Sequence, residues 1–341
     1  MNLINFPSIS VIIPVYNVAA YIEEAVNSIL NQTIQDFEII IIDDCSTDGT
    51  IDILESIKDA RIKIFKKDKN KGLIYSLNFG FKIAQGKYIA RMDGDDISLP
   101  TRFEKQLDML ENNSDIKVCG CWLQRFGNSD KIIKHREHHD EIVAQLLLNC
   151  SMSIGATMFE RATFAEIVFD QKKKHVEDYD FWARVAWLGN FYNIQEVLYY
   201  YRAHETQVTY LYTAIQRQAD VGIKLFLFKK LQYNSIIYSD ELITKMLLLD
   251  KQIALGEFKL FFKWIKVLNH LNSKSNIYSG VELKNVLEVL KRTVLFSIYF
   301  KKTSIGITKK WRIKALYYLS YNDLVFILSL KSREMFKKIT C

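Results

Sequence analysis

The chain has 341 residues, 49% of them hydrophobic, 25% charged, with a formal net charge of +7. That length suits one large core domain with a smaller appendage. The N-terminus lacks a charged-then-apolar signal pattern, and every apolar run is interrupted by charge before reaching the roughly 18 to 20 residues a spanning helix needs. The expectation is a soluble, cytosolic body. Five cysteines (Cys45, Cys119, Cys121, Cys150 and Cys341), odd in number and irregularly spaced, suit reduced thiols.

Ile9 to Ile13 is a short β-branched run that reads as a strand, and Ile22, Ala25, Val26 and Ile29 give Ala19 to Leu30 helical spacing. Phe37 to Ile42 predicts a second strand, Thr50 to Ile57 a helix, Arg61 to Phe65 a third strand, Leu73 to Ala84 a helix and Tyr88 to Met92 a fourth strand. Uninterrupted Ile/Val runs alternating with helices predict an α/β fold with a mostly parallel, Rossmann-like sheet covered on both faces. In such sheets ligands bind beyond the carboxyl ends of the strands. Four polar segments fall there: Pro14-Val15-Tyr16-Asn17, Asp43 to Gly49, Asn70-Lys71-Gly72, and Arg91-Met92-Asp93-Gly94-Asp95-Asp96. The last places three carboxylates within four residues. Such crowding calls for a hard divalent cation, Mg²⁺ or Mn²⁺, which typically completes its shell with substrate phosphates.

Ser10 to Asn17, Ile42 to Thr50, Arg91 to Pro100 with Arg102, and Glu177-Asp178-Tyr179-Asp180-Phe181-Trp182 together resemble the motifs of the family-two glycosyltransferases, in that family's order. These are inverting nucleotide-sugar enzymes of the GT-A fold, and the resemblance covers about residues 7 to 210. It implies a GT-A domain over residues 1–213, followed by a mostly α-helical, basic C-terminal region over 214–341. It also implies donor contacts from Pro14, Tyr16, Asn17, Asp44, Asn70, Gly72, Arg91, Asp93 and Glu177. Asp44 would accept the N–H of uracil, Asp93 would reach the ribose or the cation, and Asp95 would ligate the cation, with Asp96 orienting the loop. Asp178 falls to the general base, and His204 matches a late position that approaches the diphosphate or completes the metal shell.

Several of these residues have a second, plainer role open to them. Asp48 suits a helix cap as well as a ligand contact, and Asn70-Lys71-Gly72 reads equally as an ordinary turn. Tyr179, Phe181 and Trp182 suit core packing, and Arg184 an ion pair with Glu177 or Asp180. His135, His138, His139, His175 and His270 read as structural or surface groups. The cluster from His135 to Asp140 opens a predicted helix and has no cysteine partners for zinc. Cys119-Gly120-Cys121 is too close for a zinc ribbon without a partner pair.

From Lys291 to Cys341, twelve Lys and Arg stand against Asp323 and Glu334, a net of +10 in a chain of +7. Phe296, Tyr299, Trp311, Tyr317, Tyr318 and Tyr321 are interleaved with them. This predicts peripheral contact with the inner face of an anionic membrane, against a solvated helical face or RNA contact as alternatives; no nucleic acid partner is expected. Helical spacing recurs in Tyr238 to Leu255, Phe258 to Leu271 and Val281 to Phe300. A Gln-x-x-Arg-Trp signature and spanning helices are absent, which favours a non-processive enzyme adding one sugar, from a donor expected to be UDP-linked, to a saccharide or lipid-linked saccharide in surface polysaccharide or glycolipid synthesis. The competing classes are a nucleotidyltransferase, which would carry a Gly-rich basic loop near its first strand, and an inactive carbohydrate-binding module.

Overall fold

The computed structural model describes residues 6–203, 213–301 and 307–339. The chain divides into two compact units, residues 1–216 and 217–341.

The first unit is built on a nine-stranded sheet. β1 (Ile9–Val15) and β2 (Phe37–Asp43) are buried at every position, as strands covered on both faces must be. They pair in parallel with each other. β3 (Ile62–Lys66) pairs parallel with β2, and β4 (Tyr88–Arg91) parallel with β1, giving the order β3-β2-β1-β4. The connecting helices are α1 (Ile22–Leu30), α2 (Thr50–Ser56) and α3 (Leu73–Ile83). α1 buries Ile22, Ala25, Val26 and Ile29 and turns Glu23 and Glu24 outward, so its apolar stripe closes one side of the core. It starts three residues later than the apolar spacing predicts, because Val18 to Tyr21 form a turn secured by the Tyr21 and Ile22 amides on the Val18 carbonyl.

Beyond β4 the sheet departs from the doubly wound pattern. Short β5 (Ile97–Ser98) and α4 (Arg102–Asn112) lead into the long β6 (Ile116–Gly127), which β7 (Ile132–Ile133) borders. α5 (His139–Gln145) begins four residues after His135. β8 (Met158–Glu160) inserts antiparallel between β4 and β6, and β9 (Asn190–Ala203) runs parallel to β6 and antiparallel to β5. Because β8 opposes β4, the 3₁₀ turn Ile154–Ala156 that precedes it arrives at the carboxyl end of β4. α6 (Glu177–Val185) packs through an aromatic cluster: Phe181 stacks on Phe169 at 4.6 Å, Phe81 meets Phe169 edge-on at 5.2 Å, and Trp182 meets Phe191 at 5.6 Å. Such pairs add to area burial, and here they fix where the N-terminus of α6 lies.

The second unit is helical: α7 (Thr213–Lys229, most of it in this unit), α8 (Asp240–Leu248), α9 (Leu255–Ser275), α10 (Gly280–Phe300), α11 (Lys309–Leu316) and α12 (Tyr321–Ile339). The apolar spacing from Tyr238 to Leu255 is split in two, since Leu249 takes a left-handed conformation at φ 54° and ends α8. Phe228, Phe258, Phe261 and Trp264 form the core of this unit. The turn between α9 and α10 is closed by a reciprocal pair, with the Asn272 amide donating to the Tyr278 carbonyl at 2.8 Å and the Tyr278 N–H donating to Asn272 Oδ1 at 2.9 Å. Among the described residues no helix is long and apolar enough to cross a membrane.

One close approach pins β1 to the turn before β4. The Ser10 hydroxyl accepts from the Gly86 amide at 2.8 Å and donates to Glu38 at 2.6 Å, and a Cβ on Gly86 would sit 2.5 Å from the Ser10 nitrogen. Backbone atoms of a central strand cannot yield that distance cheaply. Gly86→Ala should therefore lower stability by about 1–3 kcal/mol or more, read as a lower urea midpoint; an unchanged midpoint would show that the strand shifts freely.

Candidate functional site

The carboxyl ends of β1 and β2 are laced together before any ligand is considered. Asn17 (φ 52°) accepts the Thr47 amide on its side-chain oxygen at 2.8 Å and donates its own N–H to the Ser46 hydroxyl at 2.9 Å. Asp48 accepts the Ala19 amide at 3.0 Å, the Thr50 amide at 3.1 Å and the Thr50 hydroxyl at 2.6 Å. Burial acts to raise the Asp48 carboxyl, but these bonds hold it below its ordinary value. It holds the amide of Thr50, the first residue of α2, while the N-cap position itself is Gly49. Pro14 is buried within β1, while the Tyr16 ring stands exposed at the strand end.

Asp44 is buried at the end of β2. Its Oδ1 accepts from the Lys71 amide and the Lys67 ammonium, each at 2.7 Å, and its Oδ2 from the Gly72 amide at 2.7 Å. Asn70 adds an Oδ1 contact to the same Gly72 amide at 3.2 Å. The 70–72 turn is therefore tied to β2 by a side chain. A carboxylate offers about four acceptor positions, so three donors leave Asp44 room for one more.

The acidic turn follows β4. Arg91 is buried and pairs with Asp93, and Asp93 donates its N–H to the Tyr199 hydroxyl at 3.2 Å. Asp96 is almost wholly buried, accepting the Tyr199 hydroxyl at 2.8 Å and the Arg202 amide at 2.8 Å. Arg202 also donates through Nε to the Asp95 carbonyl at 2.7 Å. Asp96 is thus an internal strut of the turn, and Asp93 and Asp95 are the half-buried carboxylates at its surface. Burial raises the Asp93 carboxyl, Arg91 pulls it back and Asp95 pushes it up again; burial with both neighbours raises Asp96 well above the carboxylate range. Carboxylates crowded in this way are hard oxygen donors of the type a divalent cation takes. Among the described residues no three His, Cys, Asp or Glu side chains converge as a complete metal group. His204 lies outside the described residues.

The 3₁₀ turn Ile154–Ala156 backs this pair. A Cβ on Gly155 would come within 2.8 Å of the Arg91 guanidinium and 2.9 Å of the Asp93 carboxylate, so a larger residue there would push the ends of this pair aside. The fully buried Arg102 donates to the Gly155 carbonyl at 3.1 Å. Glu177 and Asp178 occupy the first turn of α6, where the helix dipole favours negative charge. Asp178 accepts the Tyr179 amide at 2.7 Å, with the Cys150 thiol 3.8 Å from its Oδ2. Glu177 feels burial first, then Asp178, and is only partly relieved by Arg91, which moves its carboxyl up to about 7. The acidic pair of α6 and the Arg91–Asp93 pair therefore share one electrostatic neighbourhood.

The remaining aromatics and histidines take structural places. Tyr179 and Trp182 are core side chains, with the Tyr179 hydroxyl on the Leu146 carbonyl. Arg184 pairs with Asp180 at 2.8 Å. His135 is bonded to Ser153 at 3.0 Å and lowered to about 4 by burial, and His139 accepts the Phe191 amide at 3.2 Å. Lys67, Tyr199, Arg202 and Gly155 are the contributors that sequence reasoning passes over.

A Rossmann-like sheet with an acidic turn at this edge and a helical C-terminal region is the GT-A glycosyltransferase architecture. The family pattern described as Glycosyl transferase family 2 matches residues 10–191, so the chain belongs to that family and is a glycosyltransferase. It is similar to an uncharacterized glycosyltransferase of Haemophilus influenzae, 36% identical over 239 residues, which cover 64% of this chain and 73% of the relative. The putative glycosyltransferase EpsE of Bacillus subtilis is 35% identical over 200 residues, 57% of this chain and 72% of that protein. Among solved structures, S. aureus TarS 1-349 in complex with UDP-GlcNAc shares the fold at TM-score 0.60 with 17% identity, over 92% of this chain and 93% of that one.

The position of Glu177 has a measurable consequence. A carboxyl whose folded-state value lies above its ordinary 4.5 binds its proton more tightly when folded. Stability attributable to it is present below about pH 4.5 and lost as pH rises towards 7. With chelator present, Glu177→Gln should raise the thermal midpoint at pH 8 and scarcely move it at pH 4; equal shifts at both would show that Glu177 does not titrate in this range.

Proposed function

We propose that the chain transfers one sugar from a UDP-linked donor to a saccharide acceptor, lipid-linked in the cell, with inversion at the anomeric carbon and with Mg²⁺ or Mn²⁺. The reading rests on one observation: Asp93, half-buried beside Asp95 at the carboxyl end of β4, is paired with Arg91, whose charge also acts on Glu177 in the first turn of α6. TarS, a fold neighbour, was crystallised with UDP and with UDP-GlcNAc, which supports a uridine donor.

Asp44, already fixed by three donors, accepts the uracil N–H at its remaining position, and the exposed Tyr16 ring offers a face for the base. Pro14 shapes the strand end beneath it. Asn17, Asn70 and Gly72 act by holding the two loops that border the base. Asp95 with Asp93 would hold the cation, which supplies the positive charge that a departing diphosphate needs. Arg91 pairs with Asp93 and fixes its direction. His204 is the further ligand this reading allows. Asp178 takes the proton from the acceptor hydroxyl as that oxygen attacks the anomeric carbon, on the face opposite the leaving group. The N-terminus of α6 favours its charged form for the task. Glu177, whose carboxyl burial and Asp178 move up to about 7, can in its protonated form donate a hydrogen bond to a sugar oxygen. One base opposite the leaving group requires inversion, which NMR of the product reads directly.

Two substitutions separate the roles. Asp95→Asn should remove most donor hydrolysis and transfer and weaken the dependence on Mg²⁺ or Mn²⁺; full activity of the wild type in excess chelator would refute the metal. Asp178→Asn should keep donor binding by calorimetry while transfer falls by roughly 10²-fold or more. Parallel loss of donor binding would instead make Asp178 part of the donor site.

A further inference from the structure

The helices α11 and α12 carry an apolar stripe that nothing in the described structure covers. Ile313, Tyr317, Tyr321, Val325 and Leu328 follow one another at helical spacing, and each is between 45% and 86% exposed. These residues fall on both sides of the turn between the two helices, with Tyr317 at the end of α11 and Tyr321 opening α12. That turn is firm: Ser320 donates its amide at 3.0 Å and its hydroxyl at 2.6 Å to Asp323, and Asp323 is paired with Lys291 at 2.7 Å. Ala315, Asp323 and Ile327 are buried, so the two helices lie on the unit by a different side from the stripe.

Between residues 309 and 331 the exposed charge along the two helices has one sign. Lys309, Lys310, Lys314 and Lys331 are exposed, and Asp323, the sole acid between residues 309 and 331, is buried and neutralised. We propose that this face docks on a lipid bilayer bearing anionic headgroups, with Ile313, Tyr317, Tyr321, Val325 and Leu328 entering the interface and the lysines meeting the headgroups. Exposed apolar area of this extent costs free energy in water, and basic residues around it complement an anionic surface. A second copy would set lysine against lysine. Single-stranded RNA would make little use of Ile313, Val325 and Leu328, which offer bases no ring to stack on. The proposal deepens the reading of a lipid-linked acceptor, yet vesicle binding is measured without donor or acceptor, so the two stand or fall separately.

The full-length protein should co-sediment with vesicles of phosphatidylcholine and phosphatidylglycerol, not with phosphatidylcholine alone, and release as salt rises. Tyr317→Ser with Tyr321→Ser should weaken binding at least about tenfold, and Lys310→Gln and Lys314→Gln by about fivefold each. Both sets should retain donor hydrolysis and thermal midpoint, and should the tyrosine variant fail to fold, the lysine variants decide alone. Asp178→Asn should bind vesicles like the wild type even though transfer is lost. Equal binding to neutral and anionic vesicles, binding to neither, or undiminished binding by the lysine variants would overturn the proposal. So would self-association by sedimentation velocity, or RNA retention, that the tyrosine substitutions abolish while vesicles are ignored.

Discussion

Three carboxylates within four residues repel one another strongly where the protein shields them from water, and the arrangement around β4 is organised to bear that repulsion. Asp96 turns inward and takes the Tyr199 hydroxyl and the Arg202 amide, while Arg91 lies buried against Asp93. The irregular half of the sheet exists in large part to bring these partners. β9 delivers Tyr199 and Arg202, and β8 brings the 3₁₀ turn with Gly155 down onto the Arg91–Asp93 pair. With the inner carboxylate committed to structure, Asp93 and Asp95 are left at the surface of the turn.

The same division between struts and working groups runs along the rest of the edge. Asn17 and Asp48 spend their polar atoms joining the loops after β1 and β2, and Asp44 secures the turn at 70–72 through Lys67, Lys71 and Gly72. The Asp44–Lys67 pair is buried, so removing one partner strands the other charge at a cost of about 3–5 kcal/mol. Loops tied in this way have their backbone hydrogen bonds already satisfied within the chain. Less ordering then has to accompany binding.

Most of the first 92 residues are legible from apolar runs, because parallel strands buried on both faces are predominantly apolar and admit a polar group only where it is bonded, as Ser10 and Glu38 are. β6 and β9 are not. Neither keeps a clean alternation, since Val118 to Cys121 are buried in succession and Leu198 and Tyr199 side by side, and each finds its partner some seventy positions away, beyond the reach of a local pattern. Helix ends set by a single left-handed residue, as at Leu249, are likewise invisible in hydrophobic spacing. Asp93, Asp95, Asp178 and Glu177 could be named because their motifs are contiguous. Lys67 sits in a lysine-rich stretch that reads as solvated surface, and its burial against Asp44 is a property of the fold. Asp44 itself shows how a motif residue can carry a second duty that its motif does not disclose.

The partners of the acidic turn lie far down the chain. Asp96 is bonded to Tyr199 and Arg202 across 103 and 106 positions. During synthesis at about 5–20 residues per second, the turn is therefore made some 5–20 seconds before its struts emerge. Through that interval β1 to β4 can assemble, but β4 ends in a cluster of like charges with neither Tyr199 nor Arg202 to receive Asp96. The acidic turn thus gains its internal partners late, with the docking of β9. Chains stalled before residue 203 would hold a parallel core whose acidic turn lacks Arg202 and the end of β9.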